Sequence, residues 1–222
     1  MSKPLLVILA LLATLGLTGC ATGYFGYLRV DTIALQHTEL TGVGTIPGAN
    51  HITVNVKVND IRTSPAGFSS DWNRAQVGHQ TNGFGEPVAP TIVVIEPVER
   101  TLKKATEDEL SLRGFRIGDN AGINIEMDIR HFYNEFKAPL YELIAEDSVA
   151  DLAIEVRIKL ANGKELYSRQ IAVQSKVKFV ISPGGRDAKA ALDQALDKGI
   201  NMLFSDDNFI SALLGNRSDN GD

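Results

Sequence analysis

Two stretches of strict alternation constrain the fold of this chain more than any other feature of its sequence. Apolar side chains occupy every second position of residues 123–129 and again of residues 152–160. A period of two residues places successive side chains on opposite faces of a β-strand. Each stretch therefore predicts a long strand with one apolar face and one polar face. The two polar faces carry Asn124, Glu126, Asp128, Arg130, Glu155, Arg157 and Lys159.

Shorter patterns predict the remaining elements. Further strands are expected at residues 52–58, 91–96, 115–117 and 165–181. Amphipathic helices are expected at residues 98–113, 187–204 and 207–214. The predicted fold class is α+β: a largely antiparallel sheet of about five strands, with two main helices packed on one face and a short C-terminal helix.

Turn residues refine this prediction at three places. Asn162-Gly163 is typical of a two-residue hairpin turn between the two strands that flank it. The long segment 62–90 contains a second such dipeptide, Asn82-Gly83, and is predicted to protrude as a hairpin or loop. Gly199 lies at the centre of the apolar stripe of the second helix, where it lowers helix propensity. We expect this helix to pack closely on the sheet at that glycine.

The amino-terminal segment predicts export and lipid attachment. Residues 5–15 form an apolar run that suits a signal-peptide core and is too short to span a bilayer as a helix. The following Leu17-Thr18-Gly19-Cys20 resembles the lipobox of bacterial lipoproteins, which implies cleavage between Gly19 and Cys20 and acylation of Cys20. Cys20 is the only cysteine, so it cannot close an intrachain disulfide. The alternative is an ordinary secretory leader or a short anchor helix, which the single leading charge of Lys3 favours.

Charge and length restrict the partners and the domain count. The net charge is −5 for the whole chain and −6 from Cys20 onward, because the leader contains only Lys3. This acidic balance does not suit nucleic acid or anionic headgroups, so membrane attachment depends on the lipid. The predicted division is a signal peptide (1–19), a lipidated cysteine with a tether (20–28), an N-terminal extension (29–51), one α+β domain (52–214) and a disordered tail (215–222).

No catalytic, metal or cofactor site is predicted. The four histidines, His37, His51, His79 and His131, are scattered without metal-ligand spacing. The only thiol is assigned to the lipid, and the glycine-rich residues 78–85 lack the ending of a phosphate loop. Glu109 falls within the apolar arc of the first helix, where we expect its long side chain to reach solvent. A buried functional carboxylate is the alternative.

Aromatic residues are the candidate contacts with a protein partner. Phe132 and Phe136 point away from the core if Tyr133 points inward, and exposed rings of this kind can anchor a partner. Trp72 and Phe84 lie in the long segment 62–90 and are two further hypothetical contacts. The alternative for Phe132 and Phe136 is that a loop or the N-terminal extension covers them.

Several short motifs, in this order, resemble the YajG family of bacterial lipoproteins. They are Asn59-Asp60-Ile61-Arg62-Thr63, Leu112-Arg113-Gly114-Phe115, the strand 123–133, the turn Asn162-Gly163-Lys164 and the closing amphipathic helix. The resemblance covers residues 52–214. It implies a lipid-anchored, periplasm-facing α+β domain without an assigned reaction, and it offers no catalytic residues. Bacterial lipoproteins with Asp after the cysteine usually stay at the inner membrane, so Ala21 favours the outer membrane.

The sequence thus predicts a non-enzymatic, lipid-anchored accessory or scaffold protein of the Gram-negative envelope, acting through protein contacts. A small-molecule or lipid-binding module accessory to an envelope transporter is the first alternative, with its pocket between the helices and the sheet. An enzyme acting on the cell wall is the second alternative. An enzyme requires a convergent cluster of carboxylates or histidines. A structure in which Glu109 and the histidines lie apart would exclude this alternative.

Overall fold

The computed structural model describes residues 30–64, 73–81, 87–137, 146–180 and 184–215. Within these residues the strands are β1 (Val30–Ile33), β2 (Thr53–Asp60), β3 (Gln76–Thr81), β4 (Pro87–Val94), β5 (Arg116–Ile117), β6 (Ile123–Lys137), β7 (Glu146–Leu160) and β8 (Glu165–Val180). The helices are α1 (Val98–Leu112), α2 (Gly185–Phe204) and α3 (Asp207–Leu213), with a 3-10 turn at Ala49–His51. The predicted helices and the two alternating strands are present.

Strand β6 is the centre of the sheet because it has three partners. Along one edge it pairs with β7 in antiparallel orientation, and β8 pairs with the far edge of β7. Along the other edge its first half pairs with β2 and its second half with β3, both parallel. Strand β4 then pairs with β3, β1 with β4, and β5 with β2. The sheet therefore forks beside β6.

The α+β prediction fits, but two of its details are wrong. The described residues form a mixed sheet of eight strands, not a largely antiparallel sheet of about five. Strand β3 and the first half of β4 lie inside the segment that was predicted to protrude. Gly78, Pro87 and Pro90 interrupt the apolar pattern there, and such residues are weak strand signals. The prediction of a hairpin holds for the antiparallel pairing of β3 with β4, whereas Asn82-Gly83 lies outside the described residues.

The helices pack on one face of the sheet. Helix α1 contacts β2, and α2 contacts β6, β7 and β8. A Cβ atom on Gly199 of α2 would lie 2.6 Å from Cδ2 of Leu152 and 3.8 Å from a methyl of Val173. This confirms the close approach expected at Gly199. Helix α1 ends as predicted, because Gly114 follows it with a positive φ of 93°.

A buried ion pair lies where the sheet forks. Strand β2 ends at Asp60, and the Arg62 guanidinium donates to both carboxylate oxygens of Asp60 at 2.9 and 2.7 Å. The same guanidinium donates to the carbonyls of Phe132 on β6 and of Arg74 just before β3. Arg62, which follows β2, thus donates to a backbone carbonyl of β6 and to one just before β3, and so connects the three strands that meet at the fork. The first of the family-like motifs has a structural role here.

The opposite face of the sheet carries the charged residues that the alternation predicted. Arg157 pairs with Asp128 at 2.5 Å and with Glu155 at 2.9 Å, and Lys159 pairs with Glu126 at 2.6 Å. Burial raises the pKa of Asp128, but hydrogen bonds from Asn59 and Arg157 outweigh it and hold that pKa below the ordinary value. These acidic and basic side chains neutralise one another, so the face has no strong net charge to attract a partner.

Candidate functional site

The segment that follows the predicted lipid anchor crosses the helix layer. We call residues 34–48, between β1 and the 3-10 turn, the N-terminal arm. Its backbone N–H groups at Gln36 and Thr38 donate to carboxylates of α2, Asp193 and Asp197, each at 2.9 Å. Farther along, the N–H of Ile46 donates to a backbone carbonyl at the end of α1 at 2.9 Å. The arm is therefore hydrogen-bonded to both main helices.

His37 is the centre of this contact. Its Nδ1 lies 2.7 Å from Oδ1 of Asp197, and its Nε2 lies 3.1 Å from Oε1 of Glu109 on α1. The imidazole is only 6% exposed. Both ring nitrogens donate to a carboxylate when the ring carries two protons, which makes both hydrogen bonds charge-assisted. We call His37, Glu109, Asp197 and Arg113 the arm latch.

Glu109 is fully buried within the arm latch. Its Oε1 accepts a hydrogen bond from the N–H of Leu40 at 2.7 Å, and its other oxygen pairs with the Arg113 guanidinium. Burial raises the pKa of Glu109, but the hydrogen bonds from Leu40, Arg113 and His37 outweigh burial and hold that pKa below its ordinary value. The Arg113 guanidinium also lies 4.3 Å from the ring centre of Phe204 on α2.

The expectation that Glu109 reaches solvent is wrong. Helical periodicity places it on the core-facing side of α1, and the arm covers it from above. The sequence showed the apolar arc but not the arm that closes over it. Arg113, one helical turn later, was the available signal, because a carboxylate and a guanidinium four residues apart on a helix can pair.

An apolar slot lies beneath the arm, between the helices and the sheet. The slot is lined by Leu35 of the arm together with Val98, Thr101, Leu102, Phe132, Leu152 and Leu196. The slot leaves no room for a water molecule. The alternative function, a small-molecule or lipid-binding module, predicted a ligand pocket at this position between the helices and the sheet. In the described structure this position is a narrow slot without space for a ligand, and Leu35 of the arm forms part of its lining.

Phe132 and Phe136 are core residues, so the prediction that they are exposed is wrong. They are 1% and 2% exposed. An irregularity in the pairing between Ile129 and His131 shifts the alternation by one residue. In the part of β6 before this irregularity, the odd-numbered side chains face the helices. In the part after it, the even-numbered side chains face the helices. Neither ring is available to a partner.

The same shift turns Tyr133 to the opposite face, where a second polar cluster lies. The Tyr133 hydroxyl is 2.8 Å from Nδ1 of His79 and 3.5 Å from Nε2 of Gln76, and all three side chains are buried. Burial raises the pKa of Tyr133 above its ordinary value. Burial lowers the pKa of His79, because it disfavours the charged imidazole, and the nearby Glu135 carboxylate partly offsets this lowering. This cluster stabilises the second half of β6 against β3.

The arm latch brings a histidine and two carboxylates together, which the enzyme alternative required and which the sequence did not predict. In the latch, however, both nitrogens of His37 face carboxylates, and Glu109 binds Leu40 and Arg113. No ring nitrogen of His37 is left to act as a base while the arm is in place. In the part of the chain that the structure describes, no group of three or more His, Cys, Asp or Glu side chains is arranged to hold a metal ion.

The other predicted site residues cannot be placed. Gly19, Cys20, Trp72 and Phe84 lie outside the described residues. Among the residues that are described, no helix is both long enough and apolar enough to cross a bilayer. Lipid attachment at Cys20 and partner contacts at Trp72 and Phe84 therefore stay predictions.

Solved structures resemble this fold at low sequence identity. A Xanthomonas campestris protein of family DUF330 is 13% identical with a TM-score of 0.53, over 84% of this chain and 95% of that one. A homolog of a neuraminyllactose-binding hemagglutinin from Helicobacter pylori is 9% identical with a TM-score of 0.48, over 82% and 96%. A minor lipoprotein from Acinetobacter baumannii is 7% identical with a TM-score of 0.42, over 74% and 94%. The first likeness concerns the fold alone, and the other two are too distant to support an argument.

Comparison by sequence is more informative. No curated protein matches the chain. The family model described as uncharacterized lipoprotein, Lipoprotein_16, matches residues 44–213. This match contains the elements that resembled the YajG family, from the Asp60–Arg62 pair to helix α3. Since it covers most of the chain, the chain belongs to the YajG family of uncharacterized lipoproteins.

Proposed function

We propose that this protein is a non-enzymatic accessory protein of the Gram-negative envelope, held at the outer membrane by a lipid on Cys20 and acting through protein contacts in the periplasm. Membership of a lipoprotein family supports a membrane-anchored envelope protein. Ala21 in place of aspartate supports the outer membrane, and the lipobox supports acylation, with palmitate as a typical acyl chain.

The observation that carries this proposal is the arm latch. Ten residue steps separate Cys20 from Val30, a reach of at most about 35 Å when fully extended. From Val30 onward the chain is bound to the body, first as a strand and then through His37, Glu109 and Asp197. The start of β1 therefore lies no farther than this reach from the proposed anchor. Such an arrangement suits a protein that presents one surface to partners near the membrane.

In-cell crosslinking followed by mass spectrometry tests the proposed contacts. We expect the wild-type chain to crosslink to a reproducible set of envelope proteins, and Cys20→Ala to lose most of that set. A matched variant, Trp72→Ala with Phe84→Ala, keeps the lipid and tests the two remaining aromatic contacts. Crosslinks that are unchanged by Cys20→Ala contradict a role that depends on the anchor.

Membrane fractionation tests the location. We expect labelled palmitate to be incorporated into the wild-type chain and not into Cys20→Ala. The wild-type chain should sediment with outer membranes, and Ala21→Asp should move it to inner membranes. A wild-type chain that sediments with inner membranes contradicts the proposed location without contradicting the lipid.

A further inference from the structure

The outer edge of β8 is the longest open strand edge of the described sheet. Strand β8 has 16 residues, and among the strands that the structure describes it pairs with β7 alone. The other strands with a single described partner, β1 and β5, have four and two residues. An open edge presents backbone N–H and C=O groups without a strand partner, so a long one is a site at which another strand can add to the sheet.

The middle of this edge lacks the features that usually prevent strand addition. Edges are commonly protected by proline, by bulges or by charged side chains. The pairing of β8 with β7 is regular from Tyr167 to Val177, and its irregularities lie at the two ends. Residues 170–175 contain no proline, no glycine and no charged residue. The central part of β8 is therefore a straight, uncharged edge.

The basic side chains that flank this uncharged segment are paired within the chain. Arg169 donates to Oδ2 of Asp206 at 2.6 Å. Lys176 forms an ion pair with Asp147 of β7. Because an acidic side chain compensates each of these charges, they oppose the approach of another basic strand less than free charges would.

A groove lies beside the edge on the helix side. It has a volume of about 470 Å³ and is lined by residues of β8 and of α2, among them Val173 and Met202. Met202 is 40% exposed, so a strand added to β8 would remove apolar surface from water there. Lys198 also lines the groove, and its Nζ donates to the carbonyl of Gln174 at 3.0 Å. The long, flexible lysine side chain can leave this carbonyl when a neighbouring strand arrives.

We propose that the strand that adds to β8 is β8 of a second copy of this chain, in antiparallel orientation. A two-fold axis perpendicular to the sheet keeps the helices of both copies on the same face. Even-numbered residues must then face even-numbered residues, since successive side chains point to opposite faces. When the axis passes through Ala172, which is exposed, the two strands overlap over residues 165–179.

Side-chain chemistry favours this register. It places Gln170 opposite Gln174 of the second copy, and two amides can exchange hydrogen bonds. Within the overlap, no charged residue faces another charged residue. Moving the axis to Ile171 would instead place Lys164 opposite Lys178, a destabilising contact between like charges. The inference goes beyond the proposed function and does not depend on the lipid anchor.

Disulfide crosslinking tests the register. The mature chain, residues 20–222 with Cys20→Ser, has no thiol, so introduced cysteines are the only ones. We expect Ala172→Cys to form a disulfide-linked dimer under mild oxidation, because the two β-carbons lie about 5 Å apart across the axis. Ser168→Cys is the matched control, since its two copies lie eight residues apart along the strand, about 27 Å. Combining Ser168→Cys with Lys176→Cys should restore the dimer.

Sedimentation equilibrium of the same mature chain tests the interface without a crosslink. Ala172→Lys places two lysines opposite each other at the axis, and we expect the dimer dissociation constant to rise about tenfold. Ala172→Gln is the uncharged control and should leave it near the value of the parent chain. Circular dichroism and Tm of both variants should match the parent chain, because position 172 is exposed.

Three outcomes overturn the proposal. A parent chain that stays monomeric, with no disulfide dimer of Ala172→Cys, excludes the second copy and leaves the edge to a strand of another protein. Crosslinking of Ser168→Cys that equals crosslinking of Ala172→Cys indicates random collision. A dimer whose dissociation constant is unchanged by Ala172→Lys has its interface elsewhere. None of these outcomes bears on lipid attachment, which the palmitate labelling of Cys20 tests separately.

Discussion

Replacing Glu109 by glutamine tests the arm latch directly. Glutamine keeps the volume of the side chain and can still accept the hydrogen bond from Leu40, so no cavity is created. It removes the negative charge that faces Arg113 and His37, both of which are almost fully buried. Removing one partner of a buried ion pair typically costs about 3–5 kcal/mol, because the other charge is left without compensation. Since glutamine retains one acceptor, we expect the free energy of unfolding to fall by about 3 kcal/mol.

Urea denaturation of the chain from residue 20, with Cys20→Ser, measures this loss. For a chain of this size the same loss lowers Tm by about 6–12 °C. Hydrogen exchange of the Leu40 and Thr38 amides should accelerate, because the arm is released before the core unfolds. Asp108→Asn is the matched control: it changes the preceding residue of the same helix, where the carboxylate pairs with exposed Lys104. We expect Asp108→Asn to leave Tm and the arm amides unchanged.

The stability that ionised Glu109 contributes should also depend on pH. The folded-state pKa of Glu109 lies below its ordinary value of 4.5, so its stabilisation is fully present above that value and is lost as pH falls through the folded pKa. Glu109→Gln should therefore lose less stability on acidification than the wild type. A variant with unchanged stability at neutral pH and an unchanged acid profile would refute the reasoning.

Three further outcomes are expected. Arg62→Met leaves Asp60 buried without its partner, so the free energy of unfolding measured by urea denaturation should fall by about 3–5 kcal/mol. An unchanged free energy of unfolding contradicts the proposed stabilising role of Arg62 at the fork. His79 has a pKa below its ordinary value of 6.5, so stability should decline as pH falls through that value, and His79→Asn should flatten the decline measured between pH 7 and 5. Gly199→Ala adds helix propensity of about 1 kcal/mol but drives Cβ into Leu152, so Tm should fall; a higher Tm contradicts the close packing.

Periodicity predicted the two long strands β6 and β7, but neither β3 nor the arrangement of the sheet. The alternation at residues 123–129 and 152–160 identified β6 and β7, because each strand has one buried face. Alternation carries no information on strand direction, so the parallel pairing of β2 with β6 could not be read from it. That pairing depends on contacts between residues far apart in sequence.

The candidate site was predicted poorly for two physical reasons. One irregularity in β6, between Ile129 and His131, reverses which side chains face the core, and a single extra residue leaves no periodic signal. The contacts of His37 join it to Glu109 and Asp197, which are 72 and 160 residues away. Local patterns cannot report such contacts, although Glu109 on an apolar arc was the position at which the pattern was inconsistent.

The chemistry of the arm explains why its attachment is polar. Between residues 34 and 48 only Leu35, Leu40 and Ile46 pack against the core cluster, so burial of apolar surface alone supplies little binding energy. Carboxylates from two different helices compensate, Glu109 from α1 and Asp197 from α2. His37 binds both, and thereby joins the two helices as well as the arm.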